Sequence, residues 1–182
     1  MAMMSGAYAL EKAVEEEMGR DDRVFMIGED LIMGATSGML PIFKMAMEKR
    51  GKERFIDTPI SESAIVGTLL GAAITGMRPI AEIMFSTFLG CCMNEICNQI
   101  AKMRYMTGEQ MKLPLVIRTS NARSGGMSAA AQHSGTPEAW FMHTPGLKIA
   151  VPSSPADMMG LMKTAIRDDN PVLYFEHIST YF

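Results

Sequence analysis

The chain has 182 residues, of which 48% are hydrophobic and 20% are charged, and its formal net charge is −3. This length fits one large globular domain with its own core. The scattered basic residues do not form the patch typical of nucleic-acid binding, and no apolar run is long enough to span a membrane. We find no signal peptide, and Cys91, Cys92 and Cys97 form no paired framework, so we expect reduced, mostly buried thiols and a cytoplasmic location.

Hydrophobic periodicity predicts helices that alternate with strands along the chain. Helices are predicted at 7–19, 39–50, 61–75, 89–106, 138–143 and 155–167. Strands are predicted at 23–28, 54–57, 78–85, 114–119, 147–151 and 171–176, with loops at 34–38 and 120–136. Because the strands are short, apolar and separated by helices, we predict an α/β fold with a mostly parallel sheet and helices on both faces. Such sheets bind ligands at the carboxyl ends of their strands.

Glu62 lies where a predicted strand gives way to a helix. Pro59 and the candidate N-cap Ser61 place it in the first helical turn. A carboxylate there complements the helix dipole, which is the interpretation that position alone favours. The apolar residues 64–66 indicate a second interpretation, in which a carboxyl group in an apolar setting holds or shares a proton near neutral pH.

Three further features admit both a structural and a functional interpretation. Met84, Phe85 and Phe88 flank the end of a predicted strand, where they form core or pack against a flat heteroaromatic ring. His133 closes a small polar loop and is either structural or part of a binding site. The glycines at 67 and 71 allow close approach of another helix, inside the domain or across a subunit interface.

Several runs of residues follow one another along almost the whole chain: FMIGED (25–30), DTPISES (57–63), GMRPIAE (76–82), AKMRYM (101–106), QHS (132–134) and AIRDDNP (165–171). In this order they resemble the β subunit of the thiamine-diphosphate-dependent first component of 2-oxo acid dehydrogenase and acetoin dehydrogenase complexes. The resemblance implies a transketolase-like, thiamine-diphosphate-binding pyrimidine domain over residues 1–182. Family members continue into a C-terminal transketolase-type domain, which we expect to be absent here.

The resemblance also implies roles for particular residues. Glu62 would be the carboxylate beside the aminopyrimidine ring of thiamine diphosphate, where it activates the cofactor by sharing a proton with a ring nitrogen. Met84 and Phe88 would pack on that ring, and His133 would face the reacting end of the cofactor and orient substrate or the lipoyl acceptor. A structural potassium ion would be held, mostly by backbone carbonyl groups, at Leu115, Ala165, Ile166, Asp168 and Asn170.

The function implied is one part of a heteromeric oxidoreductase that acts on pyruvate, a branched-chain 2-oxo acid or acetoin and passes the acyl group to a lipoyl-bearing acyltransferase. An α subunit would hold the diphosphate and its magnesium, since we find no Gly-Asp-Gly plus Asn motif, and a second β subunit would join the assembly. We expect the chain to be inactive alone. Two alternatives stay open, namely the pyrimidine domain of another transketolase-like thiamine enzyme and a non-catalytic assembly module. Departures from the family at Asn94, Glu95, Glu109 and Gly135 leave the substrate open.

Overall fold

The computed structural model of the chain describes residues 4–32, 42–121 and 130–182. The predicted loop 34–38, residues 39–41 of the predicted helix 39–50, and residues 122–129 of the predicted loop 120–136 lie outside the described residues.

Helices and strands alternate as predicted. The α-helices are Gly6–Arg20 (α1), Lys44–Arg50 (α2), Glu62–Ile74 (α3), Ala101–Met106 (α4), Glu138–Met142 (α5) and Pro155–Arg167 (α6). The strands are Val24–Glu29 (β1), Phe55–Thr58 (β2), Arg78–Phe85 (β3), Val116–Asn121 (β4), Lys148–Ala150 (β5) and Val172–His177 (β6). Short 3₁₀ turns lie at Lys52–Arg54, Ala131–His133 and Ile178–Thr180.

Local signals in the sequence fix several of these ends. Ser5 and Ser154 are N-caps whose side chains accept hydrogen bonds from Tyr8 N and Asp157 N, at the starts of α1 and α6. Pro155 follows in the first turn of α6, where its missing N–H costs nothing. Gly51 ends α2 with φ 93°, a left-handed conformation that favours glycine.

The predicted helix 89–106 differs most from the structure. The helical segment begins earlier, as a 3₁₀ helix over Ser86–Cys92, passes through a π-helix over Asn94–Ile100 and becomes the α-helix α4 at Ala101. Its buried side chains still follow helical spacing, so the apolar pattern identified the face that packs on the sheet. Periodicity does not reveal a change of hydrogen-bond register, because the apolar face is retained.

The six strands form one sheet in the order β2-β1-β3-β4-β6-β5, and every neighbouring pair is parallel. One core cluster packs α1, α2 and α6 on one face of the sheet, and a second packs α3, the segment 86–106 and α5 on the other. The prediction of a mostly parallel sheet with helices on both faces is therefore confirmed. No helix in the described ranges has the length and apolar character that crossing a bilayer requires.

A fully buried ion network joins three central strands. Arg118 on β4 donates to Glu176 on β6 through Nε (2.6 Å) and Nη2 (2.5 Å), and it also forms an ion pair with Glu82 on β3. The Tyr181 hydroxyl donates to Glu176 Oε2 at 2.5 Å. Although burial alone would lower it, the charge of Glu176 raises the pKa of Arg118, so the guanidinium stays charged.

Candidate functional site

The carboxyl edge of the sheet collects the predicted site residues. From β1 the chain passes to β2 on one side and then to β3 on the other, so the strand order reverses between β1 and β3. Parallel sheets bind ligands at such a reversal, outside the carboxyl ends of their strands. Glu29, Thr58, Phe85 and Asn121 are the last residues of β1 to β4 and mark this edge.

Glu62 is the first residue of α3 and is partly buried. Ser61 occupies the N-cap position as predicted, but its side chain makes no capping hydrogen bond. Ser63 Oγ instead donates to the carbonyl oxygen of Cys91 at 2.7 Å and ties the start of α3 to the segment 86–92. Burial raises the pKa of the Cys92 thiol to about 12, and the charge of Glu62 adds to this rise.

Glu29 is a second carboxyl group at this edge, and we did not predict it as a site residue. Its side chain is buried, and its Oε2 atom has no hydrogen-bond partner among the described residues. Burial, followed by the charges of Glu62 and Asp30, raises its pKa above the ordinary value. Thr58, its register partner on β2, has a buried hydroxyl group that also lacks a partner in the described part of the chain. Unpartnered buried polar atoms are rare in folded proteins and indicate a place that a ligand or water completes.

His133 packs edge-on against two aromatic rings. Its ring centroid lies 4.8 Å from that of Phe85 and 5.1 Å from that of Phe88, with interplanar angles of 77°. The two phenylalanine rings are themselves 5.5 Å apart. Within the described ranges, the Nδ1 atom of His133 is buried without a hydrogen-bond partner. The structure thus brings His133, after β4, together with Phe85 and Phe88 at the end of β3.

Two hydroxyl groups hold the His133 turn in place. Thr87 Oγ1 donates to the carbonyl oxygen of Gln132 at 2.5 Å, and Ser86 Oγ donates to that of Gly135 at 3.0 Å. The sequence alone gave no sign of these contacts, because the partners are more than forty residues apart. They fix the distance between the end of β3 and the polar loop after β4.

Met84 is partly buried and lies next to Phe85, where the pairing between β3 and β4 is irregular. Irregular pairing of this kind redirects side chains and is common beside active sites. Glu62, Met84, Phe88 and His133 therefore all lie at the carboxyl edge of the sheet.

The residues predicted to hold potassium lie elsewhere, around the end of α6. The carbonyl oxygens of Leu115 and Ala165 accept from the backbone N–H groups of Val172 (3.0 Å) and Asp168 (3.3 Å). The carbonyl oxygen of Ile166 accepts from Arg78 Nη1 at 2.8 Å.

The side-chain oxygens of this set are also hydrogen-bonded. Asp168 Oδ1 accepts from Asn170, and Asn170 Oδ1 accepts from Arg104 at 2.5 Å. Although burial opposes ionisation of Asp168, the hydrogen bond from Lys148 lowers its pKa. The set is built of oxygens that suit a hard cation, but three cationic side chains already contact it.

The cysteines and a cavity at the amino ends of two strands do not add to the site. All three cysteines are free; Cys92 is buried, Cys97 is half-buried, and Cys91 is exposed, contrary to our expectation of mostly buried thiols. A cavity of about 690 Å³ is lined by residues such as Tyr105 and Pro171, at the amino ends of β5 and β6. This cavity lies away from Glu62 and is not part of the candidate site. Among the described residues, no cluster of three or more His, Cys, Asp or Glu side chains could hold a metal ion.

The chain has extensive similarity to known proteins. The family model described as "Transketolase, pyrimidine binding domain" matches residues 2–181. The acetoin:2,6-dichlorophenolindophenol oxidoreductase subunit beta of Cupriavidus necator is 46% identical, over 95% of this chain and 53% of that protein. The 2-oxoisovalerate dehydrogenase subunit beta of Bacillus subtilis is 45% identical, over 100% of this chain and 54% of that protein. The mitochondrial pyruvate dehydrogenase E1 component subunit beta of Caenorhabditis elegans is 43% identical, over 95% of this chain and 48% of that protein.

The chain thus spans about half the length of the curated relatives it matches. A solved structure described as a split gene transketolase, inactive beta4 tetramer, superposes with a TM-score of 0.72 at 22% identity, over 95% of this chain and 50% of that one. At this identity the likeness shows the fold alone, and it confirms the transketolase-like architecture.

Proposed function

The chain belongs to the transketolase pyrimidine-binding domain family, and from this premise we propose that it holds the aminopyrimidine ring of thiamine diphosphate in a heteromeric enzyme. The observation that carries the proposal is the position of Glu62 on the first turn of α3, at the same carboxyl edge of the sheet as the buried Glu29. A carboxyl group in this setting suits proton sharing with a ring nitrogen. The resemblance found in the sequence assigns the same role to Glu62.

Two side chains at the same edge of the sheet as Glu62 suit a flat heteroaromatic ring. Met84 and Phe88 are both partly buried and pack against the core, which leaves part of each side chain available to a ligand. We assign them to the face of the pyrimidine ring. His133, whose Nδ1 atom has no partner, is assigned to the reacting end, where it orients substrate or a lipoyl acceptor.

The proposed chemistry divides between the bound cofactor and the side chains of this chain. Bound thiamine diphosphate supplies the nucleophilic carbon and the electron sink for chemistry at a carbonyl group. Glu62 would hold and share a proton at the pyrimidine nitrogen. Phe85 and Phe88 pack edge-on against the His133 ring and hold its orientation.

The names of the relatives suggest the substrates. They act on acetoin, 2-oxoisovalerate or pyruvate. We propose that this chain forms part of a 2-oxo acid or acetoin dehydrogenase in the cytoplasm and that the acyl group passes to a lipoyl-bearing acyltransferase. An α subunit would hold the diphosphate and magnesium, and the oxygens around Asp168 would hold a structural potassium ion through their remaining lone pairs.

The outer face of α3 supports a subunit contact. Gly67 and Gly71 are both exposed, and among the residues that the structure describes a Cβ atom built on either would meet no atom of another element within 4 Å. Of the two interpretations of these glycines, this exposure favours a contact across a subunit interface. A face of small residues lets a helix of another subunit approach closely, and we propose that an α subunit or a second β subunit packs there.

The decisive experiment measures thiamine-diphosphate binding by this chain with and without its α subunit, with magnesium present. We expect weak or no binding alone, tight binding in the assembly and turnover of pyruvate, a branched-chain 2-oxo acid or acetoin. Tight, magnesium-dependent binding by the isolated chain would contradict the half-site proposal.

Glu62→Gln tests the mechanism in the assembled enzyme. Turnover should fall by at least about 100-fold, because the amide cannot share a proton, while the melting temperature changes little. Asp157→Asn is the matched control, since it removes a first-turn carboxylate from α6 and should retain turnover. Near-normal turnover of Glu62→Gln would remove Glu62 from the mechanism.

A further inference from the structure

The pairing of β3 with β4 slips by one residue beside the candidate site. Ile83 pairs with Thr119, but the next pair joins Phe85 with Ser120, so Met84 is an extra residue without a partner on β4. An extra residue of this kind forms a β-bulge, which bends its strand and redirects the side chains that follow.

The bulge decides which face of the sheet receives Phe85. Before it, side chains alternate as in any strand, with Ile80 in one core cluster and both Ala81 and Ile83 in the other. Strict alternation would place Phe85 with Ala81 and Ile83. Phe85 instead packs in the cluster of Ile80, and Met84 packs against that same cluster. The bulge therefore turns two neighbouring side chains towards one face.

Ser120 holds the bulge from the neighbouring strand. Its side chain is fully buried, and its Oγ atom donates a hydrogen bond of 2.6 Å to the carbonyl oxygen of Met84. This bond satisfies a carbonyl group on the residue that the register leaves unpaired. A hydroxyl group on an adjacent strand thus substitutes for the missing partner.

We propose that Ser120 is a positioning residue for the cofactor site: its hydroxyl group fixes the bulge and so sets where Met84 and Phe85 lie. Met84 is the side chain assigned to the pyrimidine ring, and Phe85 contacts His133 at 4.8 Å between ring centroids. A single buried hydroxyl group thereby determines the positions of two parts of the site. This inference rests on the proposed function, because it supposes that Met84 contacts the ring.

The test is a double-mutant cycle in the enzyme assembled with its α subunit. Ser120→Ala should raise the Kd for thiamine diphosphate by about three- to tenfold, the effect of one hydrogen bond. If Ser120 acts through Met84, the same change in a Met84→Ala background should alter Kd by less than about twofold. Ser120→Thr keeps the hydroxyl group and should restore most of the affinity. If Ser120→Ala does not fold, Ser120→Cys replaces it in the test. The thiol has a similar volume but is a weaker hydrogen-bond donor, so Kd should rise in the same way.

Thr119→Val is the matched control. It removes the neighbouring buried hydroxyl group, which has no hydrogen-bond partner among the residues that the structure describes, and it should leave Kd within about twofold of the wild-type value. An equal effect of Ser120→Ala in both backgrounds, or an unchanged Kd, would overturn the positioning role while leaving the proposed function intact. Absence of thiamine-diphosphate binding by the wild-type assembly would overturn both.

Discussion

Replacing Arg118 with methionine removes the cation from the centre of the sheet. The side chains of Arg118, Glu82 and Glu176 are all fully buried, so neither carboxylate can exchange its partner for water. Arg118 also lies over the ring of Phe43, 5.2 Å from its centroid. Methionine retains much of the aliphatic volume, so the substitution mainly tests the charge.

The contacts of Arg118 determine how much stability the substitution removes. Breaking one buried ion pair costs about 3–5 kcal/mol, because a charge is left uncompensated in an apolar interior. Both carboxylates lose their charged partner, and Glu176 keeps the hydrogen bond from Tyr181, which offsets part of its loss. We therefore expect Arg118→Met to lower the free energy of unfolding by about 3–5 kcal/mol at neutral pH. This is a large share of the total of about 5–15 kcal/mol that is typical of a domain. Adding Glu82→Gln should recover about 2 kcal/mol, since a neutral amide costs less to bury than a carboxylate.

Urea denaturation followed by circular dichroism measures the free energy of unfolding at two pH values. Because protonation removes the stranded charges, the deficit of Arg118→Met should shrink as the pH falls. Arg23→Met is a suitable control, since Arg23 bonds Asp21 at the surface and its loss should change stability little. A loss below about 1 kcal/mol, or one that does not vary with pH, would refute the reasoning.

Two further predictions concern Glu29 and the oxygens around Asp168. Because burial raises the pKa of Glu29, the folded state favours its protonated form, and the stability it contributes at low pH is lost as the pH rises. The melting temperature of Glu29→Gln should equal that of the wild type near about pH 4 and exceed it near about pH 7. If the two proteins melt at the same temperature at both pH values, this prediction is contradicted. Potassium chloride should raise the melting temperature above that in tetramethylammonium chloride of equal ionic strength. No difference would mean that Arg78, Arg104 and Lys148 already satisfy these oxygens without a metal ion.

The sequence allowed accurate prediction where a boundary depends on local chemistry. Strand β3 spans the predicted 78–85, and α6 spans the predicted 155–167. Ser154 and Pro155 explain the latter, because a capping serine and a first-turn proline act within a few residues. Glu62 lies in the first turn of α3 as Pro59 and Ser61 predicted, although the Ser61 side chain makes no capping hydrogen bond.

Other features depend on residues that are distant in sequence. The bulge at Met84 exists only in relation to β4, and the burial of Arg118 depends on partners in β3 and β6. Glu29 was missed because a carboxylate at the end of a strand usually faces solvent, and its burial depends on neighbouring elements. Glu109 departs from the glycine of the resembling family, and it adopts φ 65°, the left-handed region that favours glycine. The sequence departure thus coincides with a local backbone constraint.

The two outer strands of the sheet bear on how the chain avoids self-association while it folds. β2 and β5 form the edges and are only four and three residues long. An edge strand presents unpaired N–H and C=O groups to any other extended chain, and a long apolar edge invites aggregation. Here the short edges carry Asp57 and Lys148, whose charges oppose further strand addition. The apolar central strands are thereby kept from recruiting a neighbouring sheet.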